Sequence, residues 1–427
     1  MEFALLPNNI ILRADPEYFK LFTAFNRKTF ESISITSEDF AVLRTISQSS
    51  IPIDDLIGLL LILFCEKKKV DEWLGFYIMK GIIELSAVPN IYNLPQPIIE
   101  NYFDFPVTST PTEVEICLTR RCNLSCVHCN ITSRSEFEDE VLPTNFWLEI
   151  FKQCEQNQVL KVIITGGEPF IRKDWCELLD YLSKASFGTI ILTNGIHFDD
   201  SDIDKLSSSF ITLSISLDGI NSQQHDTFRK RSGAFEKTVN NMRKLSRKGV
   251  AFTISSVVHD GNVNDLLGLL KIAEDVGAKK LIVVPMVAIG RGKSHLSRKW
   301  FPKNSNLLLA LDNLQSVANS TKGPELIIGN SNTKENIIIS NRYSGATAMS
   351  KRNPGYCKAG IYSMAIDEDG VVYSCLRALQ SKSCIVGDLK SQSLIDIWRS
   401  NNWKIFRDPT VKQVPCRAEY TISNHSK

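Results

Sequence analysis

Residues 113–129, EVEICLTRRCNLSCVHC, decide how the rest of the chain is read. The run from Glu113 to Thr119 has the composition of a short β-strand, and it leads directly into Cys122, Cys126 and Cys129, a C-x3-C-x2-C spacing. Three thiolates on one short loop suit three irons of a 4Fe-4S cube, and a fourth iron without a protein ligand is open to a chelating ligand. His128 offers a fourth donor for a closed tetrahedral zinc site, although it is wedged between ligands, and inert buried thiols are the plainest alternative.

Outward from that strand the pattern repeats. Strand-like runs at 160–165, 189–193, 211–217, 250–258 and 280–285 alternate with helical stretches at 144–155, 173–185, 234–248 and 264–276. Such alternation implies right-handed crossovers and a parallel sheet, so the predicted fold class is α/β, a partial parallel (β/α)6 barrel. Ligands in such a sheet belong at the carboxyl ends of the strands. There the sequence has Gly166-Gly167-Glu168-Pro169, Thr193-Asn194-Gly195 and Ser214-Ile-Ser216-Leu-Asp218-Gly219. Paired glycines let main chain approach a ligand, and Glu168 can pair with an ammonium. Each is a common turn alone, but three in register at consecutive strand ends describe a site.

The cysteine loop and these turns resemble the radical S-adenosylmethionine (SAM) enzymes, through the whole middle of the chain. The resemblance implies a 4Fe-4S cluster on Cys122, Cys126 and Cys129, whose open iron binds the amino and carboxylate groups of SAM and passes an electron to its sulfonium, releasing a hydrogen-abstracting 5'-deoxyadenosyl radical. It implies that Gly166, Gly167 and Glu168 engage the methionine amino group and that Asn194, Ser216 and Asp218 belong to motifs around the ribose and carboxylate. His128 stands where the family has an aromatic near the adenine; a solvated loop histidine is the other reading. Arg229, in FRKRSGAF, is a candidate for the SAM carboxylate, or else part of an exposed basic face with Lys230 and Arg231. Gly290-Arg291-Gly292 resembles a further family element. Near the carboxyl end, Cys357, twelve residues, Gly370, four residues and Cys375, with Cys416 later, resemble the opening of the auxiliary-cluster region called SPASM. Beyond Cys416 the family has further cysteines, whereas this chain has Glu419 and His425, so the shorter version called twitch, with one auxiliary iron-sulfur cluster, is expected. Cys357, Cys375 and Cys416 are then three ligands, with Cys384 either the fourth or a buried small hydrophobe. Cys65, Cys117, Cys154 and Cys176 read as core thiols.

A length of 427 residues predicts two to three domains at roughly 150 residues each, divided as 1–105, 106–320 and 321–427. The formal net charge of +2 gives no global field for nucleic acid or an acidic membrane. The greasiest run, Leu56 to Cys65, is about half of the roughly 20 residues a membrane span needs, and the amino terminus has no signal-peptide pattern. A cytoplasmic protein without a span is expected, in which the 11 cysteines stay reduced. Residues 1–105 read as a small α/β, winged-helix-like unit, with strand-like stretches at 10–13 and 22–33, helices at 37–46, 54–64 and 70–80, and a returning strand at 82–85. Pro89 to Pro111 reads as a linker. This order of elements resembles the module that captures leader peptides of ribosomally made natural products by adding a strand to an open sheet edge. A DNA-binding winged helix is the alternative, although only Lys67 to Lys69 offer a basic turn. From residue 321 an auxiliary iron-sulfur cap is expected, with a hairpin at 363–374 and no assignment for 320–354. The function expected is a peptide maturase that binds a precursor through its leader sequence and forms a thioether or other cross-link, with a reducing partner such as flavodoxin or ferredoxin. Epimerisation, a small-metabolite substrate, activation of a partner enzyme, and a peptide-binding scaffold without turnover are the alternatives.

Overall fold

The computed structural model describes residues 3–15, 21–48, 51–87, 107–329, 358–379 and 381–407. The chain begins with β1 (Phe3–Leu5), β2 (Ile10–Asp15), β3 (Leu21–Asn26) and β4 (Ser32–Ile35). Then follow α1 (Ser37–Gln48), β5 (Ile51–Pro52), α2 (Ile53–Phe64), α3 (Lys67–Met79) and β6 (Glu84–Ser86). β2, β3 and β4 form one antiparallel sheet, and β1 lies between β5 and β6 in another. Leu6, Ile10, Leu43, Leu56, Leu60 and Val70 belong to a separate core here. The stretch expected as one strand over 22–33 is two, because the chain reverses between them, with Phe30 at φ 59 and Asn26 N–H bonded to the Glu31 carbonyl at 2.9 Å. Lys67, Lys68 and Lys69 pair with Asp71, Glu72 and Glu66, so the one basic turn is engaged on its own helix.

A second set of strands follows: β7 (Glu113–Thr119), β8 (Arg121–Cys122), β9 (Arg134–Ser135), β10 (Lys161–Gly166), β11 (Gly188–Thr193), β12 (Ile211–Ser216), β13 (Phe252–Val258), β14 (Lys280–Pro285), β15 (Glu325–Ile328), β16 (Ser363–Ile366), β17 (Val371–Tyr373) and β18 (Ile385–Asp388); β8 and β9 pair with each other, and the rest build the main sheet. Between β9 and β15 the helices are α4 (Thr144–Gln156), α5 (Trp175–Lys184), α6 (Asp200–Ser207), α7 (Ser222–Arg229), α8 (Ala234–Arg247), α9 (Leu266–Asp275) and α10 (Asn304–Ser320). The 10-stranded sheet has the order β15-β14-β13-β12-β11-β10-β7-β16-β17-β18, parallel from β15 through β16. The six strands expected for the barrel are neighbours in chain order, the arrangement that repeated right-handed crossovers produce. The longer helices are held by one apolar stripe, as in α5, where Trp175, Leu178, Leu179 and Leu182 are buried, worth about 1.5–3 kcal/mol apiece.

Several features differ from expectation. α6 and α7 are short and polar, and only their caps announce them: Asp199 in a capping box with Asp202, and Asn221 accepting the Gln224 N–H. β15, in the unassigned stretch, extends the parallel sheet beyond β14. β16 pairs with β7, so the carboxyl-terminal hairpin continues the barrel sheet instead of capping it. Residues 107–111, the described part of the expected linker, are buried: Thr108 N–H donates to the Ile361 carbonyl at 3.0 Å, and Trp398 Nε1 donates to the Thr108 carbonyl at 2.9 Å. Cys117 and Cys154 are buried, but Cys65 and Cys176 are exposed. Cys65 caps α2 in the left-handed region, and Cys176 lies off the buried stripe of α5. Cys357 and Cys416 lie outside the described residues.

The amino-terminal unit docks through its β2–β3 hairpin. Arg13 donates to the Gln158 carbonyl at 2.8 Å and the Thr110 carbonyl at 2.6 Å, and Ile11 and Phe25 pack on Leu160. These partners stand just before β7 and β10, at the amino ends of the strands. The unit therefore sits at the end of the barrel opposite the strand carboxyl ends. Among the described residues no helix is long and apolar enough to cross a membrane.

Candidate active site

At the carboxyl end of β7, β8 and β9 pair in parallel and close the loop that carries the three cysteines. Leu124 N–H points at Cys122 Sγ at 3.4 Å, Ser133 N–H points at Cys129 Sγ at 3.4 Å, and Arg229 Nη1 is 3.9 Å from Cys126 Sγ. Leu124, Ile196 and Ala234 pack around the sulfurs. Burial pushes the Cys122 and Cys126 thiols up, so thiolates there need a bound cation to be stable, and a metal cluster provides one. Donors aimed at sulfur are the outer contacts that tune iron-sulfur sites, so this loop fits such a cluster. A mononuclear zinc centre fits less well, since among the described residues no three His, Cys, Asp or Glu side chains converge on a single ion.

The Gly-Gly-Glu turn following β10 is seated on this loop. A Cβ on Gly166, at φ +139, would stand 2.1 Å from the Thr119 carbonyl oxygen, and one on Gly167 would stand 1.9 Å from that of Arg121. Gly167 N–H bonds to Thr119 O at 2.7 Å and Glu168 N–H to Arg121 O at 2.8 Å. The glycines are thus required for approach to the loop backbone, where the sequence had suggested approach to a ligand. Glu168 is fully buried and accepts from Asn194 N–H at 2.7 Å, Thr193 Oγ1 at 2.8 Å and Phe170 N–H at 3.3 Å. Burial nevertheless dominates and raises its carboxyl to about 7. Asn194 Nδ2 donates to Asn123 Oδ1 at 2.7 Å, tying the end of β11 to the cysteine loop.

Beyond β12, Asp218 turns its carboxylate into the protein. It accepts from Arg229 Nε at 2.8 Å and from the Val257 N–H at 2.8 Å, with Arg229 Nη2 at 2.7 Å. Burial works against its charge, but Arg229 outweighs it and holds the carboxyl at about 2. Arg229 is itself buried, so the exposed basic face is not what forms; only Lys230 faces out fully, while Arg231 donates to the Asn123 carbonyl at 2.6 Å. Ser216 ends β12, partly exposed. His128 is no solvated loop residue: its ring lies on Phe228 at 4.5 Å and 6°, and burial drives its pKa down to about 3. His259 stacks on the same phenyl ring at 3.8 Å.

Sequence reasoning missed Asn123, Phe228 and His259, which no spacing rule marks, and it read 363–374 as a hairpin with no role for its turn, Asp367-Glu368-Asp369-Gly370. Two acids of that turn grip the root of the cysteine loop. Arg120 Nε bonds Asp367 Oδ1 at 3.0 Å, Arg120 N–H bonds Glu368 Oε2 at 2.8 Å, and Arg134 Nη2 reaches Glu368 at 2.8 Å. Cys375 packs against the main core, and Cys384 is fully buried within it.

Comparison with known proteins agrees with this geometry. Residues 116–272 match the Radical SAM superfamily and residues 357–418 match the iron-sulfur cluster-binding domain SPASM. The AdoMet-dependent heme synthase of Methanosarcina barkeri is 26% identical over 317 residues, covering 73% of this chain and 88% of that protein. The mycofactocin maturase MftC of Mycolicibacterium smegmatis is 30% identical over 293 residues, covering 68% of this chain and 70% of the relative. Streptococcus suis SuiB, in a crystal structure with its precursor peptide SuiA, superposes with a TM-score of 0.68 at 16% identity, over 97% of this chain and 94% of that one. With that relationship to the maturase and this cysteine loop, the chain belongs to the radical SAM superfamily and is an enzyme of 4Fe-4S and SAM chemistry, with a SPASM region for auxiliary iron-sulfur binding.

Proposed function

We propose that this enzyme is a peptide maturase that binds a ribosomal precursor through its leader and joins residues of the core by a thioether or other cross-link. The observation that carries this reading is an open edge of the amino-terminal sheet away from the β2–β3 hairpin that docks on the barrel: among the described residues β4 pairs only with β3. Asn26 N–H bonds Glu31 O, so alternation turns the N–H groups of Ile33 and Ile35 toward β3 and those of Ser32 and Ser34 outward. An extended leader can add there as a further strand. MftC is a maturase by name and SuiB binds a precursor peptide, both consistent with this choice over a metabolite substrate like that of the heme synthase. Ser34→Pro removes one outward donor in a position that tolerates extended backbone. It is expected to weaken binding of a cognate leader at least several-fold and to slow peptide modification while sparing SAM cleavage without substrate. Unchanged leader affinity overturns the reading.

In the same proposal Cys122, Cys126 and Cys129 hold the SAM cluster, and Cys357, Cys375 and Cys416, with Cys384 as candidate fourth ligand, hold the auxiliary one. When bound, cluster and SAM supply one-electron chemistry that ends in hydrogen abstraction from the substrate. Gly166 and Gly167 seat Glu168 to accept from the SAM amino group, Asn194 and Ser216 face the nucleoside, and Asp218 positions Arg229 toward the carboxylate, with His128 beside the adenine. Only ionised Glu168 accepts fully from the amino group, and its carboxyl titrates near 7 in the protein without SAM. SAM affinity is therefore expected to fall as pH drops from 8 to 6, by up to about ten-fold per unit below 7. Glu168→Gln should bind more weakly and lose that slope in equilibrium titrations; a wild-type affinity flat across this range contradicts the role.

A further inference from the structure

The stretch following β14, GRGKSHLSRKWFPK at residues 290–303, contains Arg291, Lys293, Arg298, Lys299 and Lys303 and no acidic residue. One side of it is bound to the cysteine loop. Arg291 N–H bonds the Cys129 carbonyl at 2.9 Å, its Nε bonds the Cys126 carbonyl at 2.9 Å, and its Nη1 bonds that of Ser133 at 3.1 Å. Gly290 lies so close that a Cβ would stand 2.3 Å from the Cys129 carbonyl oxygen. Trp300 packs on Phe228 at 5.2 Å, the ring on which His128 is stacked.

The other side faces out. Lys293, Arg298, Lys299 and Lys303 are exposed, and Leu296 among them is 82% exposed. Some exposed lysines elsewhere are matched to acids, as in Lys67–Asp71, Lys184–Asp180 and Lys248–Asp204, and others, such as Lys230 and Lys271, stand singly; what sets this segment apart is four exposed cations within eleven residues and no acid among them. No ion pair is formed by these four cations with any described residue, Asp260 beside Trp300 included; Lys299 Nζ lies 5.8 Å over the Trp300 ring. Unpaired cations around one bare leucine, on a segment hydrogen-bonded to the cluster loop, complement a small partner with an acidic face. Electron-transfer contacts are of this kind, small in area and guided by charge.

We propose that residues 293–303 dock an acidic one-electron carrier, a flavin or iron-sulfur protein, against the loop of Cys122, Cys126 and Cys129. In the step it serves, the carrier is oxidised by one electron and the loop's cluster is reduced by one; no bond forms or breaks in the transfer itself. The inference rests on the assignment of those cysteines and is independent of the peptide substrate.

The test uses full-length reconstituted enzyme, an acidic flavodoxin as probe, and Lys293→Glu, Arg298→Glu and Lys299→Glu combined. Calorimetry is expected to show flavodoxin binding weakened at least about ten-fold with a smaller salt dependence, and SAM cleavage driven by reduced flavodoxin should fall in parallel. Cleavage driven by dithionite, which needs no docking, should be unchanged. Flavodoxin affinity equal in variant and parent overturns the proposal, as does a loss equally large with dithionite, or a variant impaired only in precursor-peptide binding. Absence of dithionite-driven cleavage in the parent would instead refute the cysteine assignment.

Discussion

Replacing Cys122, Cys126 and Cys129 together by alanine is expected to abolish formation of 5'-deoxyadenosine. These side chains supply every proposed protein bond to the SAM cluster, and the donors from Leu124, Ser133 and Arg229 have no other ligand to support. Iron content separates the two sites: the parent should hold about eight irons if both clusters are cubes, and the triple variant should keep about four. Deoxyadenosine yield unchanged in the variant would sink the assignment. An iron-free variant would show that the carboxyl-terminal cysteines hold nothing independently.

The second large effect concerns Asp218. Its carboxylate is buried with Arg229, and Arg229 contacts Cys126. Asp218→Ala leaves a guanidinium buried without its partner, which should cost about 3–5 kcal/mol in chemical denaturation. Asp218→Ala combined with Arg229→Met should recover most of that stability, because an apolar replacement of a buried pair is nearly neutral, yet it should not recover SAM binding. Since the Asp218 carboxyl is held at about 2 against an ordinary 3.8, the pair's contribution is present above pH 4 and is lost as pH falls toward 2. A single variant as stable as the parent would mean that water already screens Arg229.

The barrel was legible because its strands are short apolar runs ending in glycine turns, and each lies within a few residues of its expected position. The cysteine loop and the Gly-Gly-Glu turn could be placed at the strand ends for the same reason: their residues are compressed into local spacing. Asp367, Glu368 and Arg120 were not, since their contact joins residues far apart in the chain through a parallel pairing of β16 with β7 that no local pattern encodes. Arg229 was read partly by its neighbours Lys230 and Arg231; what buries it is the geometry of α7, which turns Phe228 and Arg229 inward and ends at Lys230 in the left-handed region. The two-strand reversal at 22–33 escaped because Arg27 to Glu31 contains none of the glycines or prolines that usually mark a turn.

If the proposed leader binding holds, the docking of the amino-terminal unit beneath the barrel gives that unit a metric role. A leader lying along β4 is held near the amino ends of the strands, while the cysteine loop and Glu168 are at the opposite rim. β10 alone is 6 residues long, a depth of about 20 Å. Fully extended chain covers at most about 3.6 Å per residue, so some six residues are consumed by that depth before any detour around the outer helices. Under the proposed leader binding the unit would act as a ruler: it would set a shortest spacer between recognition sequence and modified residue, and a precursor trimmed below it should be gripped or reacted, but not both at once.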